Sequence, residues 1–507
     1  MLLLRRSLPL GLLAAVYSHA APLEKHIYIA PSSSLSPFTG EETYHGTFFN
    51  GGNPVSVLMC SRACSHLDSL AESITTPFNG IFGDEAVVWV EEATVEGALR
   101  TQEPDFPTAL AQFTGALLFP DGQAVMQSSP FQKNLRLLWS SDRAALFSLP
   151  SKDLGELDYA IPRLWELIRV PSEPLPIVGL FTESDSDKRL REILSKVHFN
   201  PDVASVLSSI SPARMGFDIR WLTGESTDSP IVSRHSFTDG AITAARWIKG
   251  RLEETGASCH FMEFLEGFSP NVICSYAADP NFNKTLPAPR VILSAHYDSR
   301  GSFGSTRAPG GDDDGSGVVH LLAIARAIYR RKVTFPIDVE LVAFAGEEQG
   351  LLGSYAYASM SISMSRGSEI ESVCLLEQLY DDGVDIMLQI QADMLAYHDS
   401  DEPMQLGLPQ SIGSPVAGEL LANISAIYVP ELTVGTTEAC CSDHQSFWMH
   451  GFTSTQVFER AGGIIDPKYH NSGDLSNRTN YDLEQVHAIA KVTLASLLHV
   501  AGFTIGA

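Results

Sequence analysis

Between residues 258 and 460 the chain alternates two patterns. Short apolar runs of strand length, SCHFMEF, NVICSYA, RVILSAHYDS, IDVELVAFA, DIMLQIQADML and TSTQVFERA, are separated by longer stretches whose apolar positions recur at helical spacing. In TDGAITAARWIKGRLEETG, just ahead of this region, Ile242, Ala245, Ile248 and Leu252 share one face. PARMGFDIRWLTG, GSGVVHLLAIARAIYRR and the segment opening on GEEQGLLGSYAYA read as further helices. Alternation of this kind predicts an α/β fold, a mostly parallel central sheet between two helical layers, with ligands gathered at the carboxyl ends of the strands.

Earlier in the chain the pattern is different. AVVWVEE, GALLFP, NLRLLWSS and AALFSLP are short apolar runs broken by Pro, Gly and Asp, and they read as strands. DKRLREILSKV reads as a helix, with Ser186 as its N-cap. The change of character near residue 197 divides the chain into a mixed α/β N-terminal region, 21–196, serving as a prosegment or accessory domain, and a larger domain, 197–507. Residues 1–20 carry Arg5 and Arg6, a short apolar core from Leu8 to Val16, and Ser18-His19-Ala20. They predict a cleaved signal peptide and a secreted protein.

Composition narrows the function. A formal charge of −26 over 507 residues excludes nucleic acid as a natural partner, because phosphate binding needs a basic surface. No apolar stretch is long enough to span a bilayer. All seven cysteines follow the signal, where disulfides form; Cys60 can reach Cys64 locally, and Cys259 and Cys274 flank a hairpin. Asn283, Asn423 and Asn477 open glycosylation sequons.

Acidic and histidine residues recur just past apolar strands. VILSAH ends on His296, with Asp298 two residues on; VELVAFAGEE ends on Glu347 and Glu348; MLQIQAD ends on Asp393; the loop DPKYHNSGD carries His470. The triplet Asp312-Asp313-Asp314, set among glycines, opens a helix after the His296 strand. Three adjacent carboxylates without a basic neighbour are either a solvated surface loop or the seat of a cation, and the other clusters at strand ends favour the cation. Two His, one Glu and two Asp supply two ligands for each of two metals and one to share, and the absence of thiolates argues against a closed structural zinc site. Glu347 is then left beside a ligand, where a general base belongs.

SAHYDS, PGGDDDGSG, AFAGEEQGLLGS, QADM and YHNSGD, with RHSFTDGAITAARWI ahead of them, resemble in order and spacing the motifs of the secreted co-catalytic di-zinc aminopeptidases, of the bacterial leucine aminopeptidase and aminopeptidase Y type. The resemblance covers residues 197–503. It implies two Zn2+ per chain, His296 and Asp393 on one, Glu348 and His470 on the other, and Asp313 bridging. It also implies Glu347 as base, Asp298 orienting His296, peptide substrates, and a non-proline cis peptide after the bridging aspartate. One position departs: Ala439 stands where the family often has a tyrosine that polarises the scissile carbonyl, and Thr437 where it has a cysteine. Glutaminyl-cyclase-like single-zinc chemistry and carboxypeptidase action are the rival enzymatic readings. A metal-free scaffold is disfavoured by the complete ligand set. Consecutive Ser442, Asp443 and His444 cannot converge as a hydrolase triad.

Overall fold

The computed structural model describes residues 25–34, 41–67, 71–76, 85–101, 103–118, 134–158, 160–176, 183–278, 289–302, 304–365, 384–439 and 441–506. The expected signal over residues 1–20 and the sequon at Asn283 lie outside them.

Two four-stranded antiparallel sheets form the first part. β1 (Lys25–Pro31), β2 (Glu42–Asn50), β3 (Asn53–Cys60) and β4 (Glu72–Thr76) lie in the order β2-β3-β1-β4. β5 (Glu85–Glu92), β6 (Arg136–Ser140), β7 (Ala144–Pro150) and β8 (Trp165–Arg169) lie in the order β6-β7-β5-β8. Helices α1 (Gly97–Arg100), α2 (Phe106–Leu118) and α3 (Leu154–Asp158) join them. Of the strand read at GALLFP, Gly115–Leu118 are instead the end of α2, and the last two residues lie outside the described ones. Phe106, Ala109, Leu110 and Phe113, spaced three and four apart, pack on the β5-β8 sheet, and this helical period overrides the short apolar run behind it.

Helix α4 (Asp185–Leu194) is capped two residues before the expected Ser186. Ser184 is the N-cap, its hydroxyl accepting from the Asp187 amide while Asp187 reaches back, a reciprocal capping box. Arg189 of α4 pairs in a fork with Asp385, with both contacts at 2.6 Å, so helical cover of the second sheet begins ahead of residue 197.

Helices α5 (Pro201–Leu207), α6 (Pro212–Leu222) and α7 (Asp239–Glu253) lead into that sheet. Its strands are β9 (Ser258–Met262), β10 (Asn271–Tyr276), β11 (Pro289–His296), β13 (Asp338–Phe344), β14 (Asp385–Ala392) and β17 (Ser454–Val457), in the order β17-β14-β11-β13-β10-β9. The first four in this order are parallel and the last two pair antiparallel. β12 (Val333–Thr334) pairs with β18 (Thr504–Ile505), and β15 (Gln405–Pro409) with β16 (Thr433–Thr437).

The remaining helices are α8 (Gly315–Arg330), α9 (Leu352–Ser365), α10 (Pro415–Tyr428), α11 (His444–Met449) and α12 (Leu483–Ala501). On β11, Val291, Leu293 and Ala295 pack with α6, α7, α8, α10 and α12, whereas Ile292 points to the other face, among residues of α9 and α11. Period-two alternation thus makes three layers from one strand. Each such side chain buried in full contributes about 1.5–3 kcal/mol.

The first part is bound to the second by shared cores. Leu351 and Ile412 join the cluster of β1, β2, β3 and β5, and Val95 and Leu164 join Met394, Phe458 and Ile464. Disulfides link Cys60 to Cys64 and Cys259 to Cys274, and Cys441 is disulfide-bonded as well. Among the described residues no helix is long and apolar enough to cross a membrane.

Candidate metal centre

The carboxyl ends of β11, β13 and β14 lie side by side, so their trailing residues meet. His296 ends β11, Asp393 follows β14, and Glu347 and Glu348 follow β13. The Asp313 loop between β11 and α8 and the His470 loop behind β17 close over them. The structure brings together all seven residues read from the sequence.

Asp313 stands between the two imidazoles: one oxygen is 3.2 Å from Nε2 of His296, the other 3.3 Å from Nε2 of His470. Asp393 lies 3.6 Å from His296, and Glu348 lies 3.1 Å from His470. Ligand atoms of a tetrahedral zinc with bonds of about 2.0–2.1 Å are about 3.3 Å apart, so these spacings fit. Glu348 Oε1 is buried with no hydrogen-bond partner, as expected of an atom that waits for a cation. The donor set of imidazole and carboxylate suits zinc. By distance alone Asp314 also falls with His296 and Asp393. Its oxygens are committed, however, to the amides of His296, Gly317 and Met394, whereas Asp313 turns one oxygen to each imidazole.

The neighbours of Asp313 therefore serve as supports. Asp314 is the N-cap of α8, and Asp312 accepts from the Ala396 amide at 2.7 Å. The Asp313–Asp314 peptide is cis. Buried Arg234 donates to the carbonyls of Tyr297 and Gly310 and also to Pro309, pinning the loop in front of the triplet.

Asp298 fixes two parts of the site at once. Its oxygens accept from the amides of Glu347 and Glu348, each at 3.3 Å, and from the Ser236 hydroxyl at 3.0 Å. Its own carbonyl accepts from His296 Nδ1 at 3.2 Å, which leaves Nε2 for a metal. Glu347 reaches to 3.9 Å from His296 Nε2. Burial pushes the Glu347 carboxyl well above the usual range, against the pull of His296 and with Glu348, Asp393 and Asp443 adding. Burial disfavours charge on His470, but Glu348 and Asp313 raise it to about 9.

Sequence reasoning found no chemistry in the first half, yet that half builds one wall of the site. Arg163 donates to the carbonyls of Tyr469 and Pro467, and its own carbonyl accepts from His470 Nδ1 at 2.9 Å. Glu166 of β8 lines the cavity with His296, Asp313, Glu347, Glu348, Asp393 and His470. Burial raises its carboxyl to about 8, opposed by His470 and by the Tyr469 hydrogen bond. Asp158 binds Arg300 at 2.9 Å and His235 at 2.7 Å. Burial alone would raise its pKa, but these two partners hold it down to about 2. No local motif marks these residues; only tertiary placement does. Asp474, four residues past His470 in the YHNSGD motif, was also missed. It accepts from the amides of Asp312 and Asp313.

Ala439 lines the cavity as a methyl group where a tyrosine was expected in relatives. Tyr469 stacks on His470 with centroids 3.8 Å apart, and its hydroxyl donates to Glu166. Ser442, Asp443 and His444 form no triad: Asp443 accepts from Gln391, and the His444 ring meets the Ile412 carbonyl.

The family model described as Peptidase family M28 matches residues 271–496. Leucine aminopeptidase 1 of Sclerotinia sclerotiorum is 27% identical over 366 residues, 66% of this chain and 84% of that protein. Leucine aminopeptidase 1 of Pyrenophora tritici-repentis is 25% identical over 324 residues, 61% of this chain and 76% of that protein. In fold, the chain resembles the LapA aminopeptidase of Legionella pneumophila, with a TM-score of 0.57 and 16% identity, covering 82% of this chain and 98% of that one. LapB of the same organism gives 0.55 and 19%, covering 83% and 100%. Those shares exceed what residues 197–507 can supply, so the likeness of fold reaches into the first half, for which the sequence offered no counterpart.

Proposed function

We propose that the chain is a secreted two-zinc aminopeptidase of peptidase family M28, the family of zinc-dependent peptide hydrolases whose model matches residues 271–496. The observation that carries this reading is Asp313, with one oxygen toward each of His296 and His470. His296 and Asp393 would hold one zinc, Glu348 and His470 the other, and Asp313 both. Bound zinc supplies a Lewis acid for the scissile carbonyl and lowers the pKa of water. Glu347 takes the proton of the attacking water and passes it to the leaving amine. Asp298 holds the Glu347 backbone and the His296 ring in one frame, so base and ligand keep their separation. Met394, Phe458 and Ile464 exclude bulk water on one side. No side-chain hydroxyl extends from position 439 to polarise the carbonyl.

The names of the two fungal relatives support amino-terminal action. The apolar N-terminus, the disulfides and the exposed sequon residues Asn423 and Asn477 support secretion and glycosylation. The test is a panel of peptides blocked at either end, assayed before and after chelation, with elemental analysis. Stepwise release of N-terminal residues, two zinc ions per chain and loss of activity on chelation are expected. Release from the carboxyl end, or full activity with one metal, would overturn the reading.

A further inference from the structure

The ligands alone do not say which end of a peptide enters. The wall contributed by the first half does. Glu166 and Glu91 are cross-strand partners on β8 and β5. One oxygen of Glu91, Oε2, accepts from both the Phe49 amide at 3.0 Å and the Trp89 indole at 2.6 Å. Glu166 faces the ligands, and among the described residues it accepts only from the Tyr469 hydroxyl, at 3.3 Å. Gln456, also buried in that cavity, has an amide oxygen without a hydrogen-bond partner. The described lining holds one guanidinium, Arg300, and it is occupied by Asp158 and the Trp165 carbonyl.

The cavity therefore offers acceptors in need of donors. A peptide carboxylate finds no free cationic side chain there, whereas an ammonium group brings three N–H donors and a positive charge. A cation arriving beside Glu166 also favours its ionised form. We infer that Glu166 anchors the free α-ammonium of the substrate, so that a residue of the first half selects amino termini for a centre built by the second. This assignment rests on the aminopeptidase reading.

The test uses the full-length, zinc-loaded protein and two hydroxamate inhibitors, leucine hydroxamate and 4-methylpentanohydroxamate, which differ only in the α-amino group. Glu166→Gln should weaken binding of the first by about 10- to 100-fold, the range for a charge-assisted hydrogen bond, and leave the second and the zinc content unchanged. Glu166→Asp should recover part of the loss, and it takes over the test should the Gln variant lose zinc. Equal weakening of both inhibitors, no change in either, or a rise in turnover would overturn the assignment while leaving the aminopeptidase reading in place. A wild-type enzyme that releases carboxy-terminal residues instead would overturn both.

Discussion

The backbone carbonyl of Arg163 lies 2.9 Å from Nδ1 of His470, although 307 residues separate them in the chain. With Nδ1–H donating to that carbonyl, the ring presents Nε2 toward Asp313 and Glu348. The Arg163 side chain holds the same loop through Tyr469 and Pro467. Outer partners of metal ligands are typically worth 10- to 100-fold in affinity or activity. Arg163→Met keeps that carbonyl but removes the side-chain bonds that hold the His470 loop, so zinc binding should weaken by up to about tenfold with the chain still folded, which titration against a chelator of known affinity reads directly.

Removing the first half altogether should do more. Residues 183–507, which retain α4, would expose Leu351, Ile412, Phe458 and Ile464 and lose Arg163 and Glu166. Reduced solubility, less than two zinc ions and a large fall in turnover are expected. Unchanged rates on every substrate would show that the first half has no part in the site.

Glu347 and Glu348 are adjacent and chemically identical, yet their substitutions should diverge. Glu347→Gln should lose about 10²- to 10⁴-fold in kcat with zinc content intact. Glu348→Gln should lose zinc first and recover partly when zinc is added. Near-normal turnover in Glu347→Gln would sink the mechanism.

Asp158 gives the pH dependence a sign. Its folded pKa, about 2, lies below the unfolded value of about 3.9, so its stabilisation is present above pH 3.9 and disappears as pH falls through 2. The difference corresponds to about 2–3 kcal/mol. Unfolding midpoints measured from pH 5 to pH 2 should drop in this window, and Asp158→Asn should flatten that part of the profile.

The part of the site that was legible in the sequence was the part carried by strand ends. A buried parallel strand is a run of apolar residues, and whatever polar group follows it is set at the sheet edge by topology alone; His296, Glu348 and Asp393 were readable for this reason. The aspartate triplet was readable because its charges demanded an explanation. Glu166, Arg163 and Asp158 were not, since each sits in an ordinary strand, turn or helix end and gains its role only when two distant sheets meet. The capping serine was displaced by two residues because Ser184 and Ser186 offer the same hydroxyl, and only Ser184 has Asp187 three positions on. The missed helix α2 ends on an apolar run whose length suits a strand equally well.

The proposed ligands enter the chain in the order His296, Asp313, Glu348, Asp393, His470, and the last is the one seated by Arg163. Arg163, Asp313 and Glu348, which meet that final imidazole, all precede it in the chain. A chain cut short anywhere before residue 470 would therefore lack the imidazole that the Arg163 carbonyl seats, however complete its six-stranded sheet.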